Sequence, residues 1–464
     1  MASFIQDKIY PLLPVFLQNI GISIFGYTWR KRRFGGVFQQ ELNACRIREK
    51  YSRAEWEQYQ TIELRKLLLH SFDTVLFYRE KFAASSITRD ALENYTLSEL
   101  KQLPFLTKED LRNFGESTLI SSSEEKGAEF YASSGSTGTP TRILFSSNMH
   151  QKWSAAFEAR IRNWAGVHNQ MARGMIGGRR VVPDGQAKPP FFRYNQMENQ
   201  VYFSAYHISP NHVANYVSAM WKYKVEYMTG YAVSNYLLAL FIQQAGLKAP
   251  PMKAVITSSE KLTQEMRTTL EQVYACKVYD GWSGVEACAL VSECEEGSLH
   301  ISEDVGIIEI VDEAGKEVME GMSGEVVCTG LLNYAQPLIR YKIGDRMTKG
   351  IGTCSCGREM PLIKEIDGRI EDVVIGPDGR QMVRFHGIFV GIPTIERGQI
   401  IQHALDRIEV KIQNRIPLSE DEKASIQKRM KSQLGNVEVV IEEHASIPQT
   451  SNGKFKAVIS HLKK

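Results

Sequence analysis

The sequence lacks a charge imbalance: 56 Lys and Arg stand against 53 Asp and Glu, a formal net charge of +3 over 464 residues. That balance excludes nucleic acid as the main partner, because a polyanion is held by a clustered excess of basic groups. Cysteine is scarce and odd in number: Cys45, Cys276, Cys288, Cys294, Cys328, Cys354 and Cys356. A secreted disulfide framework is therefore not expected, whereas reduced thiols in a cytoplasmic setting are. There is no internal repeat. Apolar content is not among the deficits, since 43% hydrophobic residues suffice for a large core. The length corresponds to roughly three domain-sized units.

A clean apolar run is also missing. No charged residue lies between Ile9 and Trp29, and Arg30-Lys31-Arg32-Arg33 follow at once. A spanning helix needs about 20 predominantly apolar residues, and Pro11, Pro14, Gln18, Asn19, Ser23, Tyr27 and Thr28 interrupt this one. A signal peptide carries its basic residues before the apolar stretch, not after it. The segment reads as an arm packed on the protein's own surface, with interfacial contact to an anionic membrane as the alternative.

What is present is alternation of helix and strand. Glu55 to Phe82 has helical spacing of Leu64, Leu67, Leu68, Phe72 and Leu76 without Gly or Pro. Short strands are expected at Val225–Thr229, Ala254–Thr257 and Lys277–Asp280, with helices at Val233–Gln244 and Thr263–Tyr274. This alternation implies βαβ units and a largely parallel sheet, an α/β fold. Two further strands are expected at Val305–Asp312 and Glu325–Leu332. The tail changes character, with a hairpin at Gly376-Pro377-Asp378-Gly379 and an alternating run at Ile408–Ile412. A helix at Ser419–Leu434 follows, opened by a Ser419/Glu422 capping box, and then a strand at Val437–Ile441. The expected division is residues 1–367, with a mostly helical arm at 1–85, followed by a small α+β domain at 368–464.

The most specific stretch is Ser133-Ser134-Gly135-Ser136-Thr137-Gly138-Thr139-Pro140. Glycine allows close backbone approach, and hydroxyls with exposed amides cradle phosphate oxygens. No Gly-Lys-Ser/Thr follows, so it is not a Walker loop. Alone, such a loop is more often a plain connection. Here Tyr341-Lys342-Ile343-Gly344-Asp345, Gly368-Arg369-Ile370-Glu371-Asp372 and Ser451-Asn452-Gly453-Lys454 follow in order. With these four motifs the chain resembles the adenylate-forming acyl/aryl-CoA synthetase superfamily, and more narrowly its phenylacetate–CoA ligase and CapK-like branch. The resemblance covers nearly the whole chain.

The resemblance implies an adenylate-forming fold in which the C-terminal domain is a mobile lid. It implies that Ser133, Ser134, Gly135, Ser136, Thr137, Gly138 and Thr139 hold ATP phosphates, and that Glu286 ligates magnesium, a hard cation suited to carboxylate oxygen. Trp282 would lie beside the nucleotide. Trp282-Ser283-Gly284-Val285-Glu286 departs from the family pattern at Ser283, for glycine, and at Val285, whose missing hydroxyl removes a phosphate contact. Ser259 and Glu260 resemble the element bordering adenine, with a serine-capped strand-to-helix turn as the structural reading. Asp345 would accept the ribose hydroxyls, Arg369 would add a charged contact, and Glu371 falls at the hinge. Lys454 would stabilise charge between the carboxylate and the α-phosphate. Tyr206, His207, Tyr231 and Trp221 fall in the region that shapes the acid pocket.

The implied reaction joins a carboxylic acid to AMP with release of pyrophosphate, then transfers the acyl group to a thiol, coenzyme A. One alternative acceptor is an amine in surface-polysaccharide synthesis. A non-catalytic nucleotide- or partner-binding homologue is the alternative of another class. A homodimer is a candidate assembly. Finally, Cys294 and His300, with Cys354 and Cys356, would supply the three thiolates and one imidazole of a closed structural zinc site, with Cys288 as a substitute ligand and ordinary reduced thiols in a polar loop as the alternative.

Overall fold

In the computed structural model the described residues are 9–123, 126–132, 141–183, 186–367, 374–379, 381–382, 385, 388–389, 392, 394–414, 416–447 and 457–462. The N-terminal region is helical: α1 (Val15–Phe34), α2 (Phe38–Arg48), α3 (Arg53–Thr74) and α4 (Leu76–Ala84). Pro11 sits in a single 3₁₀ turn and Pro14 caps α1, so neither proline breaks the helix. The helix expected from Glu55 to Phe82 is in fact two. Val75 is extended, and the Phe77 N–H donates to Thr118 O at 3.0 Å instead of to a helical carbonyl. A long-range bond thus overrides a continuous helical pattern.

A hairpin, β1 (Glu129–Ala132) and β2 (Arg142–Phe145), precedes the main sheet. The parallel block comprises β3 (Arg173–Gly177), β5 (Gln200–Ser204), β6 (Tyr227–Tyr231), β7 (Ala254–Ser258) and β8 (Val278–Trp282), with β4 (Phe192–Asn195) antiparallel at its edge. Helices α5 (Val213–Lys222), α6 (Ala232–Gln244) and α7 (Gln264–Tyr274) pack their apolar faces on this block. Thr263 caps α7 through its hydroxyl.

Beyond β8 the sheet turns antiparallel through β9 (Val291–Glu293), β10 (Leu299–Ile301), β11 (Gly306–Val311), β12 (Ser323–Gly330), β13 (Tyr341–Lys349) and β14 (Leu362–Ile366). The strand order across all twelve is β11-β12-β13-β14-β10-β9-β8-β7-β6-β3-β5-β4. The expected parallel sheet is therefore mixed, because connections too short for a crossover helix permit only antiparallel pairing. A second core lies between this half and α3–α4.

The C-terminal part has a two-stranded hairpin, β15 (Val374–Ile375) and β16 (Gln381–Met382), turning at Gly379. A four-stranded sheet follows, of order β19-β18-β17-β20, from β17 (Ile395–Ala404), β18 (Arg407–Asn414), β19 (Glu438–His444) and β20 (Val458–Ser460). It is covered by α8 (Glu420–Leu434), whose Ser419/Glu422 capping box is present. Its apolar core also takes in Tyr206.

Candidate active site

β8 ends where the sheet changes from parallel to antiparallel, and side chains there reach across to the first half of β13, from which β8 is separated in the sheet by β9, β10 and β14. The Trp282 indole N–H donates to Asp345 Oδ2 at 3.0 Å, and the Tyr341 hydroxyl donates to Glu286 Oε1 at 3.2 Å. Four residues from two motifs 55 to 63 positions apart thus form one cluster. Gly284 makes it sterically feasible, since a Cβ there would lie 2.3 Å from Glu286 Oε2. Glu286 is buried, and burial raises its carboxyl pKa. Lys108 opposes that rise, whereas the neighbouring charge of Asp345 adds to it.

Lys108 has no counterpart in the sequence reading. Segment 104–108 runs along β13, with Leu106 bridged to Tyr341 and the Lys342 N–H donating to Leu106 O at 2.9 Å. Thr107 caps the next helix, and Lys108 Nζ lies 3.1 Å from where a Cβ on Gly344 would sit. The only local signal was the Thr107/Asp110 capping box. The docking that delivers the ammonium is a tertiary contact.

Ser259 has a left-handed backbone, φ 70°, at the β7 exit. The Glu260 carboxylate accepts from the Val233 N–H at 2.9 Å, tying this turn to the first turn of α6. His207 is buried, Nδ1 within 2.8 Å of Ser204 Oγ and its ring stacked on Phe191, an arrangement suited to a structural histidine. Tyr206 donates to Gly178 O at 3.2 Å, and Tyr231 accepts through its carbonyl from Asn235. Trp221 does not line a buried pocket: it is half exposed, its indole N–H donating to Lys248 O at 2.9 Å. Ser133–Pro140, Arg369, Glu371 and Lys454 lie outside the described residues. Strands β1 and β2 lead into and out of the first of these.

The second cluster lies at β9, β10 and the loop before β14. The ligand atoms of Cys294, His300, Cys354 and Cys356 all fall within 4.8 Å of one another. Cys294 Sγ and Cys354 Sγ are 3.7 Å apart, and Cys356 Sγ and His300 Nε2 are 3.4 Å apart. A regular zinc tetrahedron with the usual bond lengths has S···S edges of about 3.75 Å and S···N edges of about 3.6 Å. His300 Nδ1 lies 3.2 Å from Met360 O, a carbonyl that can only accept, which turns the Nε2 lone pair toward the thiols. The donor set therefore fits the ion. Cys288 packs instead against Gly330 and Cys328.

Residues 374–461 match the family model described as the CapK C-terminal domain. Protein CapK of Staphylococcus aureus is 26% identical over 98% of this chain and 100% of its own length. A phenylacetate-coenzyme A ligase of Pseudomonas putida is 27% identical over 88% of this chain and 86% of its own. Among solved structures, a 2-hydroxyisobutyryl-CoA ligase with 2-HIB-AMP and CoA, in the thioesterification state, superposes with a TM-score of 0.57. It is 19% identical and covers 89% of this chain and 91% of its own, a likeness of fold.

Proposed function

Because this chain belongs to the phenylacetate–CoA ligase and CapK-like branch of the adenylate-forming superfamily, we propose that it activates a carboxylic acid with MgATP and passes the acyl group to a thiol, coenzyme A. The carboxylate oxygen attacks the α-phosphorus and pyrophosphate leaves. The thiolate then attacks the acyl carbon and AMP leaves. The observation that carries this reading is the joining of Trp282, Asp345, Glu286 and Tyr341 beyond the end of β8. Asp345, steadied by the indole, would take the ribose hydroxyls. Glu286 would offer carboxylate oxygen to magnesium, which supplies charge neutralisation at the phosphates when bound. Lys108 would oppose the burial-driven rise in that carboxyl's pKa. Ser133–Thr139 and Arg369 would hold the nucleotide, and Ser259 and Glu260 would border the adenine. The division into residues 1–367 and a mobile lid at 368–464 belongs to the same proposal, with Lys454 at the transferring groups.

The test is acid-dependent ATP–pyrophosphate exchange across a panel of carboxylates. Lys454→Ala should lower exchange by more than tenfold, a loss of about 1.4 kcal/mol or more at the transition state, with ATP binding retained. Glu286→Gln should lower magnesium-dependent turnover. A wild type inert with every acid would favour the non-catalytic homologue. A second reading keeps the same activation and passes the acyl group to an amine in surface-polysaccharide synthesis. Release of AMP with amines but not with coenzyme A would select it. We also propose structural zinc at Cys294, His300, Cys354 and Cys356, about one ion per chain.

A further inference from the structure

Helices on a water-exposed surface ordinarily turn their polar side outward. Helix α1 does the reverse. At about 100° per residue, Gln18, Asn19, Ser23 and Gly26 fall on the half turned to the protein. Phe16, Leu17, Ile20, Ile24, Phe25 and Tyr27 fall on the half turned away from it, and all six are exposed. The polar half is fully employed. Asn19 Oδ1 accepts from the Tyr194 N–H at 3.0 Å and Ser23 Oγ from the Gln196 N–H at 3.1 Å, along the open edge of β4. Gln18 Oε1 accepts from the buried Arg193 guanidinium. Gly26 is required where it stands, since a Cβ would lie 2.3 Å from Asn195 Oδ1. Rotating the helix to hide its apolar half would strand edge amides and a buried guanidinium, so the exposure is built in.

The exposed strip includes Phe16 at 63%, Ile24 at 65% and Tyr27 at 59%, and Leu12, in the turn before the helix, is 84% exposed. Soluble monomers rarely carry such a contiguous patch without a partner. The helix itself carries charge of one sign, and the neighbouring carboxylates Glu129 and Glu198 are paired with its Arg32 and Arg33. No Asp or Glu occurs between Ile9 and Gln40, and Arg30 and Lys31 are exposed at the helix end. At the other end exposed Lys188 is tied in through Gln186, which accepts from Arg193 and donates to Lys188 O. Alongside, Tyr194 stacks on Tyr223 at 4.3 Å, and Lys222 Nζ lies 5.2 Å from the Tyr223 ring.

We propose that α1 is an interfacial anchor that lies flat on an anionic lipid surface, its apolar half at the acyl boundary and the flanking basic groups on the headgroups. A second copy is a poorer occupant, because the same helix in the partner offers no carboxylate to meet Arg30 and Lys31. The anchor lies in the interface and does not span it: among the described residues no helix is long and apolar enough to cross a membrane.

The test floats the full chain with vesicles of phosphatidylcholine alone and with added phosphatidylglycerol. Wild type should float with the anionic vesicles only and release as salt is raised. Ile20→Ser/Ile24→Ser should weaken this binding by about tenfold or more, and Lys31→Glu severalfold, with far-UV circular dichroism and melting unchanged. Phe16→Ser replaces the double variant should that fail to fold. Three results would overturn the proposal: no vesicle binding by wild type, binding indifferent to the apolar substitutions, or a self-association abolished by them without any lipid binding.

Discussion

Asp280, two positions before Trp282, has its carboxyl pushed up to about 7, chiefly by burial and further by Glu293, against bonds from Thr257 and the Gly281 N–H. The folded chain thus holds a proton between about pH 4 and pH 7 that the unfolded chain has already released. Stability from this group is complete at low pH and is lost as pH rises through that window. Asp280→Asn keeps the carbonyl acceptor and removes the slope. Its stability relative to wild type should climb across the window by more than about 1 kcal/mol, measured by urea unfolding at a series of pH values; a flat difference refutes the assignment. The comparison with wild type matters because His150, lowered to about 3 by burial and by Arg32 and Arg33, contributes the opposite slope below its ordinary 6.5. Lys108 invites a second residue-scale prediction. Its charge opposes the rise of the Glu286 pKa, so Lys108→Met should move the acid limb of pyrophosphate exchange to higher pH and cut the rate about tenfold. Lys108→Arg should restore the limb; an unshifted profile would make Lys108 a bystander.

Among elements, α2 is locked to the site-bearing half of the sheet by buried charge. Asp304 accepts from Arg48 Nε at 2.9 Å and from Arg160 Nη2 at 3.1 Å. Arg160 also reaches Glu49 at 2.7 Å, and Arg48 pairs with Glu41. Asp304→Ala should cost about 3–5 kcal/mol, because it leaves two buried guanidiniums short of a counter-charge. Equilibrium unfolding measures this, and a loss under 1 kcal/mol, roughly a surface pair's worth, would mean that water compensates. None of this network was readable beforehand, since its members are ordinary charged residues up to 256 positions apart. The legible elements were those with a local cause. Strands β6, β7 and β8 lie within two residues of expectation, and α7 and α8 begin after their capping Thr263 and Ser419. The break at Val75 and the arrival of Lys108 beside Gly344 were not legible, because the contacts that cause them come from Thr118 and β13. At the candidate site, Trp282, Glu286 and Asp345 stood out by motif, but their mutual hydrogen bonds required the fold.

For the molecule as a whole, the thiol–imidazole cluster is a clasp as well as a metal candidate. Trp164 packs edge-on against His300, and Arg358 lies over Trp164 and pairs with Glu49. Arg53 binds Glu303 and the Glu359 carbonyl, while the Gln60 amide donates to Glu303 O. Loss of the ion should therefore loosen α3 as well as the loop at Cys354–Cys356. Chelation, or Cys354→Ser/Cys356→Ser, should lower the melting temperature and raise amide exchange over residues 53–60, since metal-binding free energy is partly folding free energy. Metal-free protein with unchanged melting in chelator would remove zinc from the account. The edge contact of α1 has a consequence in time. Asn19 and its partner Tyr194 are 175 positions apart, so a ribosome working at about 5–20 residues per second delivers the helix roughly 9–35 s before its strand. Through that interval the oily half is already complete while the polar half has no sheet to close. Anything the oily half meets in that interval, it meets before β4 has been made.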